Sequence, residues 1–385
     1  MTLKASRRGN IPPFIVMDIL RSANQRHSEI GDVLHLELGQ PATGAPRQVI
    51  DTAKRALDEN PLGYTEAFGL LSLRRGISDY YRRSQNLAVD PERVVVTTGS
   101  SGGFVLTFLA AFDTGDRVVM ADPGYPGYRN ILLALGIEPV SLPTGPDTRF
   151  QPTPALLDKI ANPIDGLIIA SPSNPAGTML GEAELKALAH YCTAGGIRLI
   201  SDEIYHGISY GMKGVSALHF NDDAVIVNSF SKYFSMTGWR IGWMVVPPPL
   251  IRSIECLAQN LFISPPTLSQ LAAEAAFDCT EELDRNVARY ARNRDLLLSG
   301  LPAAGFDRLA PADGAFYIYA DIAHLTNDSE EFCRRMLDET GIAMTPGTDF
   351  DHDRGKAYLR VSYSGATDDI SDALKRLAAW MPFTA

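Results

Sequence analysis

Six short apolar segments recur between residues 93 and 246: "RVVVTTG", "DRVVMAD", "DGLIIASP", "IRLISDE", "AVIVNSF" and "RIGWMVV". Each is apolar throughout rather than alternating, as a strand is when both faces of its sheet are covered. Between most of them lie stretches of helical spacing such as "EAELKALAHYCTAG". Strand–helix alternation of this kind predicts an α/β fold: a largely parallel, doubly wound sheet with helices on both faces.

The texture changes at both ends. After residue 280 a long amphipathic helix, "EELDRNVARYARNRDLLLSGL", leads to "GAFYIYADI" and "AYLRVSYS", which flank a helix, "SEEFCRRMLDETG". This is the pattern of a smaller α+β domain. The first forty residues are also separate: "FIVMDILRSANQR" has helical spacing with Ile15, Ile19 and Leu20 on one side, and "GDVLHLELGQPATGAP" reads as a short strand ending in turns. With 385 residues, two domains are expected: a large one at 41–280, and a small one made of 1–40 together with 281–385. A net charge of −10 argues against a nucleic-acid binder. Cys192, Cys256, Cys279 and Cys333 have no metal or redox spacing and read as reduced thiols. No segment reads as a signal peptide or a membrane span, so a cytoplasmic protein is expected.

In open α/β sheets ligands bind beyond the carboxyl ends of the strands, so what each strand delivers there is informative. "RVVVTTG" delivers "GSSGG" before a helix: backbone N–H groups, two hydroxyls and a positive dipole end, an anion site suited to phosphate. "DRVVMAD" delivers "PGYPGY", "DGLIIA" delivers "SPSNPAG", "IRLI" delivers "SDEIY", and "AVIV" delivers "NSFSK". Taken singly, these have ordinary readings: a small-residue turn, a salt-bridged Asp202, a solvated Lys232. Together they place a phosphate cradle, an aromatic plate, a carboxylate and an amine on one sheet edge. Lys232, among apolar and hydroxyl groups, is a candidate Schiff-base nucleophile of lowered pKa. Arg240, a permanent cation, can serve the same phosphate. The set matches the needs of pyridoxal 5′-phosphate: amine to aldehyde, carboxylate to ring nitrogen, aromatic to ring face.

"SFSKYFSMTGWRIGW", "ASPSNPAGT", "SDEIY" and "YLRVSYS", in that order, closely resemble the fold-type I aminotransferases of class I/II, on the aspartate aminotransferase branch. The likeness runs from "LELGQPATGAP" to "YLRVSYS". It implies that Lys232 carries the cofactor and moves the substrate proton, and that Asp202 holds the ring nitrogen protonated. It implies that Tyr205 and Asn174 bond the ring's phenolic oxygen and Tyr125 stacks on the ring. Gly99, Ser100, Ser101, Ser229 and Arg240 are implied for the phosphate, with Tyr64 reaching the phosphate of the neighbouring subunit in a homodimer. Arg360, assisted by Gly39 and Asn174, is implied for the substrate α-carboxylate.

The implied reaction moves an amino group between an α-amino acid, aspartate or another, and a 2-oxo acid such as 2-oxoglutarate. Some dicarboxylate-specific relatives carry a basic residue at the position of Ser101; "TGSSGGF" has none. Neutral, aromatic or sulfur-containing donors therefore stand beside aspartate, unless Arg7, Arg8 or a partner arginine supplies a counter-charge. A carbon–sulfur β-lyase or decarboxylase on the same scaffold is the alternative, and a cofactor-sensing regulatory module a third. "GTDFDHDRG" reads as a solvated loop without metal spacing, His206 as a packed residue, and the arginines of "RNVARYARNR" as a solvated helix face.

Overall fold

A computed structural model describes residues 3–380. Val94–Thr97 (β1), Arg117–Asp122 (β2), Glu138–Pro143 (β3), Gly166–Ala170 (β4), Arg198–Asp202 (β5), Val225–Ser229 (β6) and Gly242–Val245 (β7) form one sheet in the order β1-β7-β6-β5-β4-β2-β3. The pairs β2–β3, β2–β4, β4–β5 and β5–β6 are parallel, whereas β7 is antiparallel to both β1 and β6. β7 is the exception because Phe230–Ile241 connects it to β6 without a crossover helix, and a parallel partner needs one.

Why the strands are apolar throughout is visible in their packing. Val94, Val96, Leu167, Ile169 and Leu199 join a core on one face, and Val95, Ile168, Ile200, Val225 and Val227 join a second core on the other. Successive side chains point to opposite faces, and both faces are roofed. Burying each such side chain contributes roughly 1.5–3 kcal/mol. Polar side chains are therefore concentrated where the sheet stops.

Arg308–Leu309 (β8), Tyr317–Asp321 (β9), Thr345–Pro346 (β10) and Tyr358–Ser362 (β11) make a second, antiparallel sheet in the order β10-β11-β9-β8. Its core gathers Tyr290, Leu297, Phe316, Ile318, Leu359 and Val361. The N-terminal helix Ile15–Glu29 (α1) buries Val16 and Ala23 rather than the expected Ile15–Ile19–Leu20 side. The helix Thr280–Gly300 has the expected extent but not a wholly solvated polar face. Asn293 is buried and donates to the carbonyls of Tyr363 and Gly365, both at 3.0 Å, and Arg294 lies over the Tyr210 ring. No helix among the described residues is long and apolar enough to cross a membrane.

Candidate active site

Because β7 reverses direction between β1 and β6, those two strands run the same way. The carboxyl ends of β1, β2, β4, β5 and β6 thus share one edge, and a cavity of about 510 Å³ opens there. Ser100, Ser101, Tyr125, Asn174, Asp202, Tyr205, Lys232, Arg240, Gly39 and Arg360 all line it.

Lys232 sits in a loop pinned by aromatics. Phe230 and Trp243 are fully buried with ring centroids 4.9 Å apart, and Phe234 packs 5.0 Å from Phe230. The Nζ of Lys232 donates to the Gly39 carbonyl at 2.5 Å. A Cβ at Gly39 would lie 1.9 Å from the Tyr317 hydroxyl oxygen, so only glycine brings this carbonyl so close. Burial first, then the charges of Arg360 and Arg240, push the Lys232 amine down to about 8, against a smaller opposing pull from Asp202. An amine at that value is half neutral near pH 8, whereas an ordinary lysine is almost wholly charged there.

The anion cradle is the start of the helix Gly99–Ala111 (α2), whose first amides have no intrahelical partners. Gly99 has φ +74, and a Cβ there would sit 2.5 Å from Arg240 Nη2. The guanidinium therefore lies directly against the helix start. Arg240 reaches it from a left-handed residue, φ 51, a sparsely populated conformation that persists when surroundings over-determine it. Ser229 does not line the cavity: its hydroxyl is buried and donates to the Ile241 carbonyl at 3.0 Å. Ser231 lines it instead, 2.8 Å from the Ser229 hydroxyl.

Asp202 ends β5. One carboxylate oxygen accepts from the Tyr128 hydroxyl and the other from the Ile204 amide at 3.1 Å. Burial raises its pKa to about 6 in spite of these donors. Its neighbour Glu203 turns inward, accepting from Ser216 Oγ and the Ala217 amide, both at 2.9 Å. His206 is 6% exposed and packs against Gly214, as a packed residue should. The Tyr205 and Tyr317 hydroxyls are 2.7 Å apart.

Arg360, from β11, is 2% exposed. It donates to Asn174 Oδ1 at 2.8 Å, the Glu37 carbonyl at 2.5 Å and Thr345 Oγ1 at 3.3 Å. Its guanidinium stacks 4.4 Å from the Tyr317 ring and 4.8 Å from that of Phe350. Its Nε has no partner among the described residues.

One wall is apolar: Phe14, Val16, Met17 and Leu20 from α1 and the turn before it, with Phe14 meeting Tyr125 edge-on at 5.8 Å, whereas Gln40 and Thr237 are polar residues elsewhere in the lining. No sequence signal pointed to these residues. Tyr128 was hinted at by its spacing of three from Tyr125 in "PGYPGY". Arg8 lies near Gly136, at the far end of the helix Pro126–Leu135 (α3) that starts beside the site, and does not line the cavity. The side chain of Arg7 lies outside the described residues. Tyr64 is 82% exposed, away from this cavity. "GTDFDHDRG" is not the solvated loop expected: Asp349, Phe350 and Asp351 are buried, Asp349 by the amides of α1 and Asp351 by Arg354.

The donor set fits pyridoxal 5′-phosphate: a helix start with Arg240 against Gly99, a partly neutral amine, and a buried carboxylate whose hydrogen-bond donors among the described residues, Tyr128 and the Ile204 amide, are neutral. Comparison with known proteins agrees. The family model "Aminotransferase class I and II" matches residues 31–377. Valine–pyruvate aminotransferase of Mycobacterium tuberculosis is 52% identical, over 99% of this chain and 100% of that protein. A crystal structure of an aminotransferase from Mycobacterium tuberculosis superposes with a TM-score of 0.98 at 51% identity, covering 99% of this chain and 100% of the other. Aspartate aminotransferase from Thermus thermophilus with maleate gives 0.92 at 30% identity, covering 98% and 100%. The chain belongs to the class I and II aminotransferases, and is an enzyme that uses pyridoxal 5′-phosphate.

Proposed function

We propose that this aminotransferase takes its amino group from a neutral, apolar α-amino acid and passes it to a small 2-oxo acid, with valine and pyruvate as the pair. One observation carries the reading: the wall of Phe14, Val16, Met17 and Leu20 holds no cation, and the cationic side chains lining the cavity are Lys232, Arg240 and Arg360. Each of those three has another task. An aspartate side chain against that wall would leave a carboxylate desolvated and unpaired, which costs several kcal/mol. The name of the 52%-identical relative points the same way. The test is kcat/KM for valine and for aspartate with pyruvate as acceptor. Valine should lead by at least about 100-fold. A preference for aspartate would overturn the assignment, and pyruvate and ammonia formed from a thioether amino acid without any acceptor would favour a lyase instead.

When bound, pyridoxal phosphate supplies an aldehyde for an amine and a cationic ring that accepts the electron pair left at the substrate Cα. The chain's residues do the rest. Gly99, Ser100, Ser101 and Arg240 hold the phosphate, with Ser229 supporting Ser231 from behind. Tyr125 would cover the ring, and Tyr205 and Asn174 would serve its phenolic oxygen, all three lining the cavity. Asp202, a buried carboxylate, would keep the proton on the ring nitrogen. Lys232 would hold the cofactor covalently, and its amine, buried in the cavity, would take and return the Cα proton. Arg360, with Asn174 and Gly39, fixes the α-carboxylate, which would satisfy the unmatched Nε. Arg360→Lys keeps the charge but loses the planar fork. Its kcat/KM for valine should fall about 100-fold, two charge-assisted hydrogen bonds being lost, with the affinity for cofactor unchanged. A fall below about threefold would remove Arg360 from this role.

The active unit in this proposal is a homodimer. Exposed Tyr64 lies on a segment where Thr267 Oγ1 donates to the Gly63 carbonyl at 2.6 Å and the Thr65 amide donates to Ser264 Oγ at 3.4 Å, and Ser264 directly follows exposed Leu261, Phe262 and Ile263. A second copy covers this apolar patch, and Tyr64 reaches the neighbouring subunit's phosphate. The four cysteines are free, in keeping with a cytoplasmic enzyme. Residues 41–280 act as the cofactor-binding domain, and 1–40 with 281–385 as the small domain that brings Arg360 and α1 to the substrate.

A further inference from the structure

The apolar wall depends on the first turn of α1, and that turn has an unusual support. A helix cannot satisfy its own first amides, and Phe14 at the N-cap offers no side-chain acceptor. The acceptor arrives from the other end of the chain: Asp349 Oδ1 takes the Ile15 amide at 2.9 Å and Oδ2 takes the Val16 amide at 3.3 Å. A carboxylate suits the positive end of a helix. Asp349 is 2% exposed and closes the short turn Gly347–Asp349, which follows β10 directly. β10 in turn pairs with the strand of Arg360, Thr345 opposite Arg360. The next residue, Phe350, lies 4.8 Å from the Arg360 guanidinium. Two adjacent residues thus serve both ends of the substrate site: Phe350 backs the arginine, and Asp349 carries the backbone of Ile15 and Val16.

We propose that Asp349 is a specificity-determining positioning residue, which holds the first turn of α1 so that the apolar wall meets the substrate side chain at a fixed distance from Arg360. This rests on the reading of that wall as the side-chain site. Asp349 touches no reacting atom. Its removal acts on amino acids whose side chains reach the wall and spares those whose side chains do not.

The experiment compares valine with alanine, whose single methyl makes little contact with such a wall, in wild type, Asp349→Ala and Asp349→Asn holoenzymes. In D349A the KM for valine should rise about fivefold, the effect of a lost N-cap. The KM for alanine and both kcat values should change less than about twofold. Asparagine caps helices but has a single acceptor oxygen, so D349N keeps the Ile15 bond and loses the Val16 one, and its valine KM should fall between those of wild type and D349A. Amide hydrogen exchange over residues 15–20 should quicken about fivefold in D349A, with the rest of the chain unchanged. Equal rises in KM for valine and alanine, or unaltered exchange in α1, would overturn the proposal. If D349A does not fold, D349N carries the same comparison: a valine KM that rises while the alanine KM stays within about twofold supports the proposal, and equal rises in both overturn it. A wild type with equal KM for valine and alanine would sink the wall reading itself. A wild type that separates them, with a D349A that separates them equally well, would sink only the part given to Asp349.

Discussion

Lys232→Ala is expected to lower kcat by about 10⁴-fold or more. Positioned proton transfer alone contributes about 10²–10⁴-fold, and this variant also loses the covalent handle. Among the described residues no second amine lines the cavity to take over. The loss should not be a folding defect. Burial and the nearby arginines hold the amine at about 8, below its ordinary 10.5. The folded protein therefore binds that proton less tightly than the unfolded chain does. The resulting penalty on stability grows as pH falls from 10.5 to about 8 and stays below it. At pH 7 alanine removes that penalty along with some packing, so the Tm of the cofactor-free protein should move by no more than about 3 °C. Steady-state turnover of valine with pyruvate and a thermal melt check both parts. Turnover within about tenfold of wild type would remove Lys232 from the chemistry.

Asp202→Asn should lower kcat by about 10³-fold while keeping shape and most hydrogen bonds. The carboxylate is 6% exposed, and its donors are Tyr128 and the Ile204 amide. Those neutral donors do not offset its burial, since its pKa still rises to about 6. A protonated ring nitrogen is the cation such a group lacks, and removing one partner of a buried pair costs about 3–5 kcal/mol. The stability effect has the opposite sign. Asp202 in the cofactor-free fold binds its proton more tightly than in the unfolded chain, so its charge lowers stability as pH rises from 3.8 to about 6, and the loss persists above. The cofactor-free D202N protein should melt no lower than wild type at pH 7.5, and the cofactor should leave it faster. A variant with near-normal kcat would contradict the role.

How much of this was legible in the sequence follows from where each contact comes from. Lys232, Asp202 and Asn174 stand at the carboxyl ends of β6, β5 and β4, so strand pattern and the general rule for α/β sheets bring them together without any coordinates. Arg360 needed the resemblance, because β11 belongs to a different sheet. The resemblance named Ser229 and not Ser231; that the Ser229 hydroxyl bonds the Ile241 carbonyl while Ser231 lines the cavity depends on the pairing of β6 with β7, which the local sequence does not show. The apolar wall carried no signal, since α1 has polar and apolar residues in an ordinary amphipathic pattern. Asp349 was misread because its partners are 334 and 333 residues away. A charged run looks solvated until the helix that needs its carboxylate is seen beside it.

The proposed chemistry turns on one atom, the Nζ of Lys232. Borohydride reduction of the holoenzyme followed by peptide mass spectrometry would fix the cofactor where it is held. The predicted result is the mass of the reduced cofactor on the peptide containing Lys232, and on no peptide of the Lys232→Ala protein. Finding it on another lysine, or on none in an enzyme still active before reduction, would contradict the site described.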